Sequence, residues 1–153
     1  MKSCARKIHF SYGHRVLGHE SKCGDLHGHN AVVWIHATPT KELDSLGRVV
    51  DFSVIKDKVG GWIEKNWDHT MILFADDKKA LDLLEKIDRV RPLFRLPVNP
   101  TAENLANYLL WKVCPEVLKG HNVIVYKITF WETENSVAEE SLDPTSEKVL
   151  KLY

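Results

Sequence analysis

The run Asn122-Val123-Ile124-Val125-Tyr126-Lys127-Ile128-Thr129-Phe130-Trp131-Glu132-Thr133 follows the turn signal Lys119-Gly120-His121 and is dominated by β-branched and aromatic residues. A segment of this length and make-up is a strand, and a strand needs a sheet to receive it. Two further segments supply one. Lys7-Ile8-His9-Phe10-Ser11 alternates apolar and polar residues, and Asn30-Ala31-Val32-Val33-Trp34-Ile35-His36-Ala37 is apolar enough to be largely buried. The pair is read as a hairpin around a long polar loop.

Helical periodicity appears between these strands. Ser53 stands where an N-cap would precede Ile55, Val59, Trp62 and Ile63, with Gly60-Gly61 weakening the helix by about 1 kcal/mol per glycine relative to alanine. The stretch Asp76 to Arg91 carries Leu81, Leu84 and Ile87 and predicts a second helix closed by Pro92. In Asn99-Pro100-Thr101-Ala102-Glu103-Asn104, Thr101 is placed to cap a third helix, whose core stripe is Leu105, Tyr108, Leu109 and Val113 and whose end is near Pro115. The polar tail from Glu134 to Tyr153 is expected on the surface.

Strand, strand, helix, helix, strand in this order predicts an α+β fold, an antiparallel sheet with helices on one face. The sheet edges such a fold leaves open favour association of several copies edge to edge. With 153 residues and no linker or repeat, the chain is read as a single domain, 1–153, whose tail from about residue 139 is peripheral. Its 21 Lys+Arg balance 21 Asp+Glu, which argues against a nucleic-acid or anionic-membrane partner and favours a small molecule. Neither a bilayer-length apolar run nor a signal-type start is visible, so a cytoplasmic location is expected. Three cysteines, Cys4, Cys23 and Cys114, are odd in number and unrelated in spacing, which does not suggest a disulfide framework.

The chemistry concentrates in one short stretch. His14, His19, His27 and His29 crowd around Cys23 within sixteen positions. His27-Gly28-His29 puts two imidazoles on the same side of a pleated strand, and His14 follows the strand expected to pair beside it. Taken singly each is an ordinary loop histidine; as a set, His14, His27 and His29 predict a metal site. Three imidazoles suit zinc and leave a fourth position for water or substrate, whereas a fourth protein ligand would close the site into a structural one. Cys23, in the polar context Lys22-Cys23-Gly24-Asp25, is either that fourth ligand or a reactive thiolate favoured by its basic neighbour. Asp68-His69 pairs a carboxylate with an imidazole, and taken alone reads as an exposed turn. Glu132 is in phase with Ile124, Ile128 and Phe130, so an apolar strand face ends in a carboxylate that needs a partner; that is the profile of a ligand anchor. His9, His36 and His121 have no comparable company.

These residues also carry a family resemblance. Phe10-x3-His14-Arg15, Cys23-x2-Leu26-His27-Gly28-His29, Asp51-Phe52, Asp68-His69, Pro100-Thr101-Ala102-Glu103-Asn104 and Glu132-Thr133 stand in the order found in the 6-pyruvoyltetrahydropterin synthase and 6-carboxytetrahydropterin synthase family, from about Phe10 to Ala138. The resemblance implies the tunnelling fold, in which ββαα units join their sheets into a barrel, trimers stack into a homohexamer, and active sites form between subunits. It implies that His14, His27 and His29 hold Zn2+, that Cys23 accepts a proton instead of binding metal, and that His69 with Asp68 relays protons. Glu132 would grip the 2-amino-4-oxo edge of a pterin and take part in the charge relay as a catalytic residue, and Thr101 would line its pocket. The implied activity is a zinc-dependent lyase acting on 7,8-dihydroneopterin triphosphate. One branch of the family releases acetaldehyde and triphosphate on the way to queuosine and related 7-deazapurines. The other forms the pyruvoyl product on the biopterin route. The string around Cys23 is more similar to the carboxy-forming branch. The chain departs from the family's usual small residues before the first histidine, where it carries Ser11-Tyr12-Gly13. A non-catalytic zinc or pterin-binding module is the rival reading, with Cys23 as fourth ligand.

Overall fold

The computed structural model describes residues 1–153. Its centre is a hairpin longer at both ends than alternation alone predicts: β1 (Cys4–His14) and β2 (His27–Pro39) pair antiparallel from Cys4 opposite Ala37 to His14 opposite His27. A short helical turn, Lys22–Gly24, lies in the connecting loop. The apolar run at the other end of the chain is β5 (Val123–Thr133), which lies antiparallel on β2 with a bulge between His36 and Ala37.

The sheet has six strands in the order β4-β3-β1-β2-β5-β6. β3 (Thr70–Phe74) and β4 (Phe94–Leu96) were not evident in the sequence, and both pair parallel, so the sheet is mixed instead of antiparallel throughout. The tail does lie mostly at the surface, but it is ordered in a way not evident in the sequence: β6 (Ser136–Ser141) pairs with β5, and a final turn of helix, Glu147–Leu150, buries Val149. The Tyr153 hydroxyl reaches back to the main chain of Val125.

Three helical segments precede that final turn. The first, α1, runs over 52–66 through a wider π-type turn at Lys56–Gly60. Its cap is Asp51, whose carboxylate accepts from the Ser53 amide, so Ser53 is one residue inside the helix and not its cap. The second, α2, is only Lys78–Glu85, shorter than the periodicity through Arg91 predicts. There Arg89 folds back to the Leu84 carbonyl and the Glu85 carboxylate, and the chain turns before Pro92. The third, α3, runs over 102–117 with Thr101 as its cap, as read from the sequence; Pro115 sits inside the run, at the start of its last segment, where a missing amide is tolerated.

α1 and α3 cover one face of the sheet. Ile55, Val59, Ile63, Leu105, Leu109 and Val113 pack there on Phe10, Val33, Ile35, Ile128 and Phe130 in one buried cluster. Because side chains alternate along a strand, that face also receives Tyr12, His14, His27 and His29 at the far end of the β1–β2 hairpin. The apolar core therefore runs directly into the histidines.

Candidate metal centre

The pairing register sets the histidines together. His14 lies opposite His27, and Tyr12 opposite His29, so three imidazoles share one face of adjacent strands. One ligand atom from each of His14, His27 and His29 falls within 4.8 Å of the others. His14 Nε2 is 3.1 Å from His27 Nε2, near the roughly 3.3 Å edge expected for nitrogens about 2.0–2.1 Å from a tetrahedral zinc.

The main chain decides which nitrogen of two rings faces inward. His14 Nδ1 donates to the Pro100 carbonyl at 2.7 Å, and His27 Nδ1 donates to the Asp25 carbonyl at 2.6 Å. A carbonyl only accepts, so each Nδ1 carries the proton and each neutral ring turns a lone pair inward from Nε2. The short Nε2–Nε2 approach is then two acceptors facing each other, an arrangement that a cation between them satisfies. His29 Nε2 is buried without any hydrogen-bond partner. Burial favours the neutral forms: it pushes His14 down to about 4 and lowers His29 as well, with the Glu132 carboxylate opposing the shift in both and the Pro100 carbonyl opposing it in His14. Donor type, tautomer and the orphaned nitrogen all fit a zinc-sized cation.

Glu132, at the end of β5, completes the surroundings. Its Oε1 is 3.5 Å from His14 Nε2 and 3.6 Å from His29 Nε2, and it accepts a 3.3 Å hydrogen bond from the Tyr12 hydroxyl. The partner that a carboxylate on an apolar strand face requires is therefore present. Tyr12 itself was not singled out as a site residue by sequence pattern; only its in-phase position two residues before His14 could have marked it.

The remaining candidates are placed elsewhere. Cys23 sits half-buried in the short turn Lys22–Gly24, its carbonyl accepting from the Val16 amide, and its sulfur is not among the converging ligand atoms. His19 also stands apart and accepts from the Ser21 amide. Thr101 caps α3 through the Asn104 amide, next to the Pro100 carbonyl that orients His14. Arg15, next to His14, makes two 2.6 Å hydrogen bonds to the buried Asp77, which in turn caps α2 and is held below the usual carboxylate range by that guanidinium.

Asp68 and His69 form a true pair. Asp68 Oδ2 accepts from His69 Nδ1 at 2.8 Å while Oδ1 accepts from the Ser11 amide at 2.9 Å. Burial opposes the Asp68 charge, but these donors outweigh it and keep the carboxyl below its ordinary range. His69 has φ 55°, in the left-handed region, and is largely exposed. It lines a concavity of about 320 Å³ that it shares with Ser11, Gly13, Gly28, Asn30 and Met71 and also with Tyr12 and His29. A Cβ on Gly13 would displace the flexible end of Met71, and one on Gly28 would lie 3.0 Å from the Tyr12 carbonyl, so glycine relieves crowding at the floor of that concavity.

The family described as 6-pyruvoyl tetrahydropterin synthase matches residues 3–142. The 6-carboxy-5,6,7,8-tetrahydropterin synthases of Rickettsia felis and Rickettsia bellii are each 40% identical over 139 residues, covering 91% of this chain and 99% of theirs. Among solved structures, an uncharacterized protein from Wolinella succinogenes superposes with TM-score 0.78 at 24% identity, covering 93% of this chain and 98% of that one. The 6-pyruvoyl tetrahydropterin synthase of Caenorhabditis elegans superposes with TM-score 0.64 at 22% identity, over 93% and 96%. These two likenesses speak to the fold. No helix is long and apolar enough to cross a membrane.

Proposed function

The chain belongs to the 6-pyruvoyl tetrahydropterin synthase family, and from that premise we propose that it is a zinc-dependent 6-carboxy-5,6,7,8-tetrahydropterin synthase, a lyase that converts 7,8-dihydroneopterin triphosphate with release of acetaldehyde and triphosphate, supplying a precursor of queuosine and related 7-deazapurines. The observation that carries this reading is the convergence of three imidazoles, two of them locked by carbonyls into the metal-binding tautomer and the third left with an orphaned nitrogen. The name borne by relatives at 40% identity supports the carboxy-forming branch.

His14, His27 and His29 would hold the ion, which when bound supplies Lewis acidity toward the hydroxyls of the substrate side chain. Glu132 would accept from the 2-amino-4-oxo edge of the pterin and fix the ring relative to the triad, with Thr101 along the pocket wall. Cys23, as thiolate, would remove the acidified carbon-bound proton of the side chain. His69, oriented by Asp68, would return a proton and so help move electron density from side chain to ring. His69 is largely exposed and not among the converging ligand atoms, which supports a site completed by a neighbouring copy, as in an assembly of trimers stacked into a hexamer.

Zinc-loaded protein incubated with 7,8-dihydroneopterin triphosphate is expected to yield a carboxylated tetrahydropterin, acetaldehyde and triphosphate, read by mass spectrometry. A pyruvoyl pterin without acetaldehyde would place the chain on the other branch. No turnover, together with unimpaired zinc binding and loss of zinc on Cys23→Ala, would favour a closed, non-catalytic metal module.

A further inference from the structure

Tyr12 carries more than packing explains. Its ring is 3% exposed, stacked on Phe10 at 5.5 Å and edge-on to Phe130 at 6.1 Å and to His14 at 5.0 Å. A phenylalanine would fill that space equally well. The hydroxyl is what differs, and a hydroxyl withdrawn from water needs a partner. Its partner is Glu132 Oε1, at 3.3 Å, and this is the one hydrogen bond that Glu132 receives from the protein.

The other neighbours of that oxygen cannot hold it. His14 Nε2 presents a lone pair because its Nδ1 is committed to Pro100, and neither the 3.5 Å approach of His14 Nε2 nor the 3.6 Å approach of His29 Nε2 to Glu132 Oε1 is a hydrogen bond. The Tyr12 hydroxyl is the one protein donor within hydrogen-bond distance of the carboxylate. The bond also distinguishes its two oxygens: Oε1 is tethered beside the triad, while Oε2 accepts nothing from the protein and remains available to an incoming N–H.

We propose that Tyr12 is a positioning residue that tethers the Glu132 carboxylate beside the histidine triad, presetting the distance between the pterin ring and the metal. This rests on reading Glu132 as the pterin anchor. Tyr12 acts through Glu132 and has no contact of its own with the reacting atoms.

The test uses Tyr12→Phe, which keeps the ring and removes only the hydroxyl, beside Glu132→Gln and the double variant. Binding of neopterin, an oxidised pterin that does not turn over, is followed by fluorescence on the full zinc-loaded chain, and zinc affinity by competition with a chromophoric chelator. Tyr12→Phe is expected to weaken neopterin binding about tenfold, the scale of a hydrogen bond to a charged group, and to leave zinc affinity unchanged. The double variant should bind no more weakly than Glu132→Gln alone, because the hydroxyl acts only through that carboxylate. Wild-type neopterin affinity in Tyr12→Phe, or a full additive loss in the double variant, would overturn the proposal while the anchor reading stands. Undiminished binding in Glu132→Gln would remove the anchor reading, and the tether with it.

Discussion

The two histidine regions of this molecule are built in opposite ways. At the end of the β1–β2 hairpin, His14 is 2% exposed, its ring fixed by the Pro100 carbonyl and its neighbour His27 fixed by the Asp25 carbonyl. His69, by contrast, is on a turn, largely exposed, oriented by a single side chain and held in a backbone conformation that few non-glycine residues adopt. A metal cradle needs several ligands fixed to within a fraction of an ångström, which paired strands provide. A proton relay needs one group presented outward, which a turn provides. The difference teaches that one fold can fix three imidazoles rigidly on paired strands while presenting a fourth, His69, outward on a turn; on the proposed function the first would be the metal cradle and the second the proton relay.

The largest effect should separate those halves. His69→Ala is expected to lower turnover by about 10² to 10⁴, the usual scale for a lost acid or base, with stoichiometric zinc retained. Mixing it with Cys23→Ala protein under conditions that exchange subunits should restore activity if the relay crosses between copies. Failure of any mixture to recover would break the comparison, leaving each chain to serve itself.

Next in size is the anchor of the β1 end. Arg15→Ala leaves the carboxylate of Asp77, 1% exposed, without its guanidinium, and is expected to cost about 3 kcal/mol of stability in a denaturant titration. A loss confined to stability, with zinc retained, would show that the cradle depends on its carbonyls more than on this clamp. A loss below about 1 kcal/mol would show that water enters and solvates Asp77.

The pH dependence sharpens the same contrast on a smaller scale. His14 is held near 4 in the folded chain, chiefly by burial, against an ordinary value of about 6.5. Between these values the unfolded chain takes up a proton that the folded chain refuses, so metal-free protein should lose stability steadily as pH falls from about 6.5 to 4, below which the depressed carboxylates such as Asp77 take over the loss. His14→Ala should flatten that part of the curve. An unchanged slope would mean that His14 is not held neutral by its site.

Legibility in the sequence follows the same division. The long strands β1, β2 and β5 announce themselves through pattern because each carries its own apolar phase, and Thr101 marks the start of α3 through local capping chemistry. β3, β4 and β6 do not: Phe94–Leu96 is three residues long, Ser136–Ser141 is polar along most of its length, and all three become strands only by pairing with partners elsewhere in the chain. The shift of the α1 cap from Ser53 to Asp51 has a local cause, since the carboxylate also accepts from the Ser53 hydroxyl and so competes for the role. The triad was legible because spacing and pleat place it. The Tyr12 bond to Glu132 was not, because it joins residues 120 positions apart.

The account rests on three imidazoles forming a site that does not use the cysteine. Zinc content of Cys23→Ala and His29→Ala, each measured per chain on folded protein after equilibration with a competing chelator, tests it most directly. One zinc per chain in Cys23→Ala, with affinity in His29→Ala reduced at least about 100-fold, is the predicted result. Zinc lost from Cys23→Ala and kept by His29→Ala would contradict it.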